Sequence, residues 1–408
     1  MMLTFFRWAW RVLPIPEPIR RKIIQVYQYP PLPHTQRRSN YAPGTPLLAG
    51  FTLSGLGIGE MLRLQILALR EEGVEHDIRD VSDIMKIRDL VDPAFEDSLE
   101  PANSGPLILN VNAPEFGRAL RFMGKELTGN RPIIGQWAWE LPEIPKDWKK
   151  AYKYIDELWV LSNYTKQAFT CSCPVPIKVV PPPVVAPVDN GLRRNDFCIP
   201  SNATVFLAMA DARSDIERKN ISGVVKAFKK MAKNVEGVLL VIKLHHTEFA
   251  HRSYVRLWDE IRSDVNIVVI DRLLERGAVG ALIRCCDILV SLHRAEGLGL
   301  PLAEAMLLGK PVIATGFSGN MDFMDDECAK IVNYRMIPVS SKSDIYVESA
   351  TQLWADPDLD SATDAMTELA SSPSLRLELG EKGMRRAQAY FSVDRYCRTV
   401  RNALKRWI

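Results

Sequence analysis

The sequence predicts an α/β protein made of two consecutive domains, each built around a parallel sheet. The chain has 408 residues, which is more than one hydrophobic core usually supports and fits two domains of ordinary size. From residue 46 onward, short apolar runs alternate with helical patterns, and this alternation predicts parallel strands joined by crossover helices. Prolines at 181–183 and 187 interrupt the series near its middle, and proline can continue neither a central strand nor a helix. This proline segment is the predicted link between the domains.

The first half of the body carries six predicted strands, and its leading strand is followed by a helix over 59–72. These strands cover 47–53, 74–79, 107–111, 133–137, 158–161 and 178–180. The predicted N-terminal domain spans residues 45–186.

The second half repeats the arrangement with six more strands and with helices over 221–234 and 301–308. These strands cover 205–210, 238–244, 267–270, 288–292, 311–314 and 330–332. The predicted C-terminal domain spans residues 187–388, and an amphipathic helix over 391–408 lies in the closing segment 389–408.

Composition and charge exclude several classes of protein. Hydrophobic residues make up 47% and charged residues 25%, which excludes a largely disordered chain. The net charge of +3 gives no reason to expect a nucleic-acid partner. The seven cysteines lack zinc-site spacing and are odd in number, so we expect reduced thiols in the cytoplasm. No run reaches the roughly 20 apolar residues of a membrane span, and arginines interrupt the apolar start that a signal peptide would need.

The charge is unevenly distributed, because residues 1–44 carry seven basic side chains against one acid. This arm and linker is therefore +6, and the remainder of the chain is −3. On a helical projection Arg7 and Arg11 share a narrow polar face, with aromatic and aliphatic side chains around the remaining arc. Such a helix suits a membrane interface. A terminal helix packed on the protein body is the open alternative.

The most informative motif is residues 292–306, which join a predicted strand to a predicted helix. Gly297 and Gly299 allow the backbone to approach a ligand, and the free N–H groups at the start of a helix attract an anion such as a diphosphate. The expected donor-binding segment therefore includes Leu298 and Leu300.

Two carboxylates, Glu296 and Glu304, flank this anion site. They would repel a diphosphate, unless they accept hydrogen bonds from neutral hydroxyls on either side of it. A sugar and a ribose flanking a diphosphate describe a nucleotide sugar.

At these residues the sequence resembles the retaining glycosyltransferases of family four, which have the GT-B fold of two Rossmann-like domains facing across a cleft. Their Glu-x7-Glu signature matches Glu296 and Glu304, and the resemblance assigns the first to the donor sugar and the second to the ribose. It also implies a diphosphate clamp of one arginine and one lysine, matched by Arg213 and Lys219. The adjacent Arg218 is the alternative to Lys219. Fixed cations of this kind stabilise the charge that develops on the leaving group.

A glycine loop follows the first strand and contains Gly55, Gly57 and Gly59. It is similar to the family loop that faces the donor phosphates from the N-terminal domain. The spacing does not fit Gly-x-Gly-x-x-Gly, because Glu60 occupies the last place, and this disfavours a dinucleotide-binding enzyme.

A second small-residue loop follows the predicted strand 311–314, and the resemblance places Gly319 and Asn320 near the donor as backbone contacts. Three aspartates follow in this region, but the GT-B fold works without a divalent ion. The resemblance therefore implies no metal and no cofactor, the nucleotide sugar being a substrate.

The acceptor side is less well defined. Many relatives have a histidine where this chain has Asn112, so the N-terminal contact to the sugar departs from the family pattern. Trp139 and Glu140 follow another strand and form a candidate acceptor surface, since aromatic faces stack on sugar rings. Core packing is the alternative for this aromatic segment. His293 is either a sugar contact or a packed side chain.

The resemblance implies a retaining hexosyltransferase that acts on a glycan or lipid-linked acceptor in polysaccharide or cell-envelope glycan synthesis. It also implies that the C-terminal helix returns to the N-terminal domain. A cytoplasmic enzyme held to the inner face of a membrane by residues 1–30 would explain the basic arm. The open alternatives are a catalytically silent GT-B protein that binds sugar or membrane, and a GT-B nucleotide-sugar epimerase.

Overall fold

The protein is built on two six-stranded parallel sheets, which confirms the predicted fold class. The computed structural model describes residues 44–88, 92–98, 104–129, 131–247, 251–341, 346 and 351–407. The predicted basic arm lies outside these residues, apart from residue 44. In the described ranges no helix is both long enough and apolar enough to cross a membrane.

The first sheet has the order β2-β1-β3-β4-β5-β6. Its strands are β1 Leu47–Gly50, β2 Asp77–Asp80, β3 Leu107–Asn110, β4 Ile133–Trp137, β5 Glu157–Val160 and β6 Ile177–Val179. Its helices are α1 Gly57–Glu71, α2 Ala113–Thr128 and α3 Asn163–Thr170. Both faces of the sheet are covered, so its central strands are apolar at nearly every position.

The second sheet has the order β12-β11-β10-β7-β8-β9. Its strands are β7 Thr204–Asp211, β8 Val238–His245, β9 Ile267–Asp271, β10 Ile288–Ser291, β11 Val312–Thr315 and β12 Lys330–Val332. Its helices are α4 Ile216–Lys219, α5 Ile221–Ala232, α6 His251–Ile261, α7 Arg276–Cys285 and α8 Leu300–Leu307. The chain runs outward in opposite directions from the adjacent strands β7 and β10, and α/β sheets bind ligands at such a switch point.

An antiparallel hairpin of β13 Tyr334–Pro338 and β14 Leu353–Pro357 extends from the second domain to the first. Trp354 of this hairpin is fully buried in a cluster made mostly of N-terminal residues. Gln352 Nε2 donates a hydrogen bond to the Glu143 carbonyl at 2.6 Å. The hairpin has no clear signal in the sequence, because β13 is mostly exposed and has no apolar run.

The chain ends in three helices, α9 Leu359–Ser371, α10 Pro373–Phe391 and α11 Val393–Leu404. The helix predicted over 391–408 begins at Val393, because the hydroxyl of Ser392 accepts from the first-turn N–H of Arg395 at 3.3 Å and caps α11. Tyr396 and Val400 of α11 pack with buried residues of α1 and the first sheet. The last helix therefore lies on the N-terminal domain.

Candidate active site

The candidate site lies where the loops after β7 and β10 meet, at the carboxyl ends of two neighbouring strands. At its centre, Lys219 Nζ contacts Glu296 Oε1, and Arg218 Nη1 lies 3.4 Å from the same oxygen. Glu296 is 8% exposed. Burial raises the pKa of this carboxyl, but the charges of Lys219, Arg218 and His293 outweigh burial and lower the pKa to about 2.

Two residues with positive φ aim these cations at Glu296. Asp215, at φ 70°, caps α4 by accepting from the N–H groups of Glu217 and Arg218. Asn220, at φ 53°, ends α4 and begins α5, while its Nδ2 donates to the Leu292 carbonyl at 2.8 Å. The one-turn helix between them is thereby held against the loop that carries Glu296.

The low pKa of Glu296 predicts a loss of stability in acid. A carboxyl whose pKa is lower in the folded state stabilises the fold above its unfolded pKa of 4.5, and that contribution disappears as the pH falls toward 2. The shift corresponds to about 3 kcal/mol in the free energy of unfolding. Urea unfolding of the wild type and Glu296→Gln between pH 7 and pH 2 checks this. Below pH 4.5 the free energy of unfolding should fall less steeply with pH in the variant than in the wild type. Equal pH dependence in the two proteins would contradict the prediction.

The carboxylate of Asp211, at the end of β7, is surrounded by side chains that are cationic or can donate hydrogen bonds. Arg213 Nη2 donates to Asp211 Oδ2 at 3.0 Å, and His245 Nε2 and His246 Nδ1 each lie 3.3 Å from one of the carboxylate oxygens. Burial raises the pKa of Asp211, but hydrogen bonds from His245 and Arg213 bring it below its usual range. Asp211, His245 and His246 are residue types that ligate metals, yet Arg213 and Lys243, whose Nζ is 2.8 Å from His245, oppose a dication there. Asp211 instead holds the Arg213 side chain in place by accepting its hydrogen bonds.

The loop before α8 brings its backbone close to other backbone segments. A Cβ at Gly297 would lie 3.3 Å from the Trp139 carbonyl, and one at Gly319 would lie 2.1 Å from the Gly297 carbonyl. Gly299, at φ 96°, is the residue that starts α8. Among the described residues, the N–H groups of 297–300 have no protein acceptor. They are free to bind an anion at this helix end.

Glu304 lies in the first turns of α8 and is 4% exposed. Arg276 Nη1 donates to Glu304 Oε1 at 2.5 Å. Burial raises the pKa of Glu304, and Arg276 opposes this shift without cancelling it. Arg276 is not among the residues predicted from the sequence. Its one signal is its position at the start of the helix after β9, on the same edge of the sheet.

The glycine loop forms a tight turn opposite this site. A Cβ at Gly59 would lie 2.4 Å from the Phe51 carbonyl, so this position requires glycine, whereas a Cβ at Gly57 would meet open space. Close by in the N-terminal domain, Ser162 Oγ donates to the Gly297 carbonyl at 2.7 Å. The two domains are therefore in direct contact beside the donor-binding segment.

Three residues considered for the sugar or donor make hydrogen bonds within the fold. His293 is fully buried, with Nδ1 3.0 Å from Ser291 Oγ and Nε2 3.0 Å from Asn320 Oδ1, so it is a packed side chain. Asn320 is also fully buried and holds His293. The Gly319 N–H donates to the Glu296 carbonyl at 2.9 Å. The N–H of Gly319 is therefore already bonded within the fold, and the backbone contacts expected from Gly319 and Asn320 stay a prediction.

The predicted acceptor surface also requires correction at Trp139. Its indole is 2% exposed and packs on Trp148, with ring centroids 4.8 Å apart, so no ring face is open to a sugar. Glu140 is half-buried, and its Oε2 accepts from the Tyr346 hydroxyl at 3.1 Å. Asn112 Oδ1 accepts a backbone N–H that follows β4 at 2.8 Å. The Glu140 side chain lies beside the donor-binding segment, with its Cγ 3.8 Å from the position of a Cβ at Gly297.

Comparison with known proteins finds a family match over part of the chain. Residues 200–386 match the profile of the family described as Glycosyl transferases group 1. A curated relative, the trehalose synthase of Pyrococcus horikoshii, is 23% identical over 184 residues, which are 44% of this chain and 39% of that protein. The match therefore spans well under half of the relative's length.

Solved structures share the fold over most of the chain. Sucrose-phosphate synthase from Thermosynechococcus elongatus aligns with a TM-score of 0.65 at 14% identity, covering 89% of this chain and 98% of that one. Alr3699/HepE of Anabaena, solved with UDP and glucose, aligns with a TM-score of 0.61 at 12% identity, covering 89% and 99%. At these identities the likeness establishes the fold alone. The chain thus has a GT-B fold, and its residues 200–386 are similar to the family described as Glycosyl transferases group 1.

Proposed function

We propose that this protein transfers a hexosyl group from a nucleotide-diphospho-sugar to a glycan or lipid-linked acceptor, with retention of anomeric configuration. One observation carries the proposal: Lys219 and Glu296, 77 positions apart, meet at the switch point of the second sheet, beside a helix start whose N–H groups have no acceptor in the described part of the chain. Cations, anion-binding N–H groups and a carboxylate for hydroxyls are together what a nucleotide sugar requires.

In the proposed reaction Arg213 and Lys219 hold the diphosphate, and Glu296 and Glu304 accept hydrogen bonds from sugar and ribose hydroxyls. The bond from the anomeric carbon to the phosphate oxygen breaks, and the acceptor oxygen bonds to the same face of that carbon. The acceptor proton passes to the departing phosphate oxygen, so no protein nucleophile is needed. The cations stabilise the charge that accumulates on the nucleoside diphosphate.

Release of nucleoside diphosphate tests this proposal. The purified full chain is incubated with UDP-, GDP-, ADP- and dTDP-sugars, after a thermal-shift screen for binding. UDP-glucose is the first donor to try, because the Anabaena relative is solved with UDP and glucose. Binding of one donor and slow release of its nucleoside diphosphate are expected. If no donor shifts the melting temperature, the proposal fails.

We further propose that the enzyme works in bacterial-type polysaccharide or cell-envelope glycan synthesis, at the cytoplasmic face of a membrane reached through residues 1–30. The support is the +6 charge and the aromatic content of the arm. Co-sedimentation with anionic vesicles should be lost when residues 1–30 are deleted. Unchanged co-sedimentation would show that the arm does not bind the membrane.

A further inference from the structure

Arg276, the first residue of α7, bridges carboxylates from both domains. Its Nη1 donates to Glu304 Oε1 at 2.5 Å, and its Nε lies 3.0 Å from Glu60 Oε1 on α1. The side chains of Glu304 and Glu60 are 5% and 21% exposed and that of Arg276 is 36% exposed, so the two ion pairs are partly shielded on the carboxylate side. An ion pair that is partly removed from water holds its carboxylate more firmly than a fully solvated one does.

The connection continues into the glycine loop through Arg63. Arg63 Nη2 donates to Glu60 Oε2 at 2.7 Å, and its Nη1 donates to the carbonyls of Thr52 and Ser54 at 2.9 and 2.7 Å. These carbonyls belong to the turn that enters the glycine loop. An unbroken series of hydrogen bonds and ion pairs therefore joins the loop of one domain to Glu304 of the other.

Two features of this series point toward a ligand. Arg276 holds Oε1 of Glu304, which leaves Oε2 to accept a hydrogen bond from a ligand hydroxyl. In addition, Arg276 Nη2 is buried and has no hydrogen-bond partner among the described residues. A buried donor without an acceptor is costly, so a ligand oxygen placed beside it would be favoured.

We infer that Arg276 is a positioning residue for the donor, which orients Glu304 toward the ribose hydroxyls and couples that contact to the glycine loop through Glu60 and Arg63. The inference rests on the proposed function. It assigns to Arg276 and Glu60 a role in selecting ribose-containing donors, beyond holding the domains together.

Ribose analogues separate this role from simple domain packing. Calorimetry measures the binding of UDP and of 2′,3′-dideoxy-UDP to the full chain. If the donor screen selects a GDP- or ADP-sugar, then GDP or ADP and its 2′,3′-dideoxy analogue are compared instead. Arg276→Ala should weaken binding of the ribose form about tenfold and of the dideoxy form less than about twofold. Arg276→Lys should restore part of the affinity for the ribose form. Arg398→Ala, which removes an exposed arginine from α11, should leave the affinity for both ligands unchanged.

Glu60→Gln tests the link across the cleft. It should reproduce part of the loss for the ribose form, and the double variant with Arg276→Ala should lose less than the two single losses combined. Equal losses of affinity for the ribose and dideoxy ligands would overturn the inference. An Arg276→Ala variant with wild-type affinity for both ligands would also overturn it. If the wild type binds no nucleoside diphosphate, the proposed function fails as well. If it binds and Arg276→Ala behaves like the wild type, only the inference fails.

Discussion

Replacement of Lys219 by alanine should lower turnover at least about tenfold, since removing one preorganised electrostatic contact typically costs that much or more. Lys219 contacts Glu296 at the switch point, and in the proposed reaction it is one of the two cations that hold the leaving diphosphate. Turnover is measured as nucleoside diphosphate release with the donor that the screen selects. The KM for the donor should rise less than kcat falls, because the contact strengthens in the transition state.

The controls for this substitution are Lys219→Arg and Lys226→Ala. The arginine keeps the positive charge and should retain part of the activity. Lys226 is exposed on α5, and its replacement should leave turnover unchanged. Wild-type turnover in a folded Lys219→Ala protein would refute the assignment of Lys219 to the diphosphate.

Replacement of Arg218 by methionine should instead act on stability, with a loss of about 3–5 kcal/mol in the free energy of unfolding. Arg218 is 2% exposed, its Nη1 donates to the Ala295 carbonyl at 2.6 Å, and its Nη2 donates to the Ser214 carbonyl at 3.0 Å. Methionine would leave these carbonyls unsatisfied and deprive buried Glu296 of one of its two ion-pair partners. Breaking a buried pair on one side is among the costliest single changes.

Urea unfolding monitored by circular dichroism measures this effect. Arg335→Met is the matched control, because Arg335 is 80% exposed and its pair with Asp356 lies at the surface, where such pairs contribute little. An Arg218→Met variant as stable as the wild type would show that the guanidinium is dispensable to the loop that presents Glu296.

These two predictions separate neighbours that the sequence could not distinguish. Arg218 and Lys219 are adjacent cations before a predicted helix, and either fits a clamp. The structure places Arg218 inside the fold, on backbone carbonyls, whereas Lys219 is 15% exposed and contacts the carboxylate. The two residues differ in burial, and their burial depends on how α4 is oriented between Asp215 and Asn220.

On the acceptor side, the sequence predicted an exposed aromatic surface that the structure buries. Trp139 follows a strand at the correct edge of the sheet, but position in sequence does not reveal which ring faces are covered. Trp148 and Tyr346 cover them, and Tyr346 comes from the other domain through the unpredicted hairpin region. Arg276 was missed for a related reason, because a lone arginine at a helix start has no pattern until its partners are known.

The sequence by itself determined the two sheets and the edge that carries the candidate site, with Lys219, Glu296 and Glu304 among its candidate residues. It could do so because strand periodicity, glycine positions and helix starts are local properties of the chain. Only the tertiary structure decided that His293, Asn320 and Trp139 are buried, and that Arg276 and Glu60 join the domains. Burial and ion pairing depend on residues tens to hundreds of positions apart, and folding alone brings those residues together.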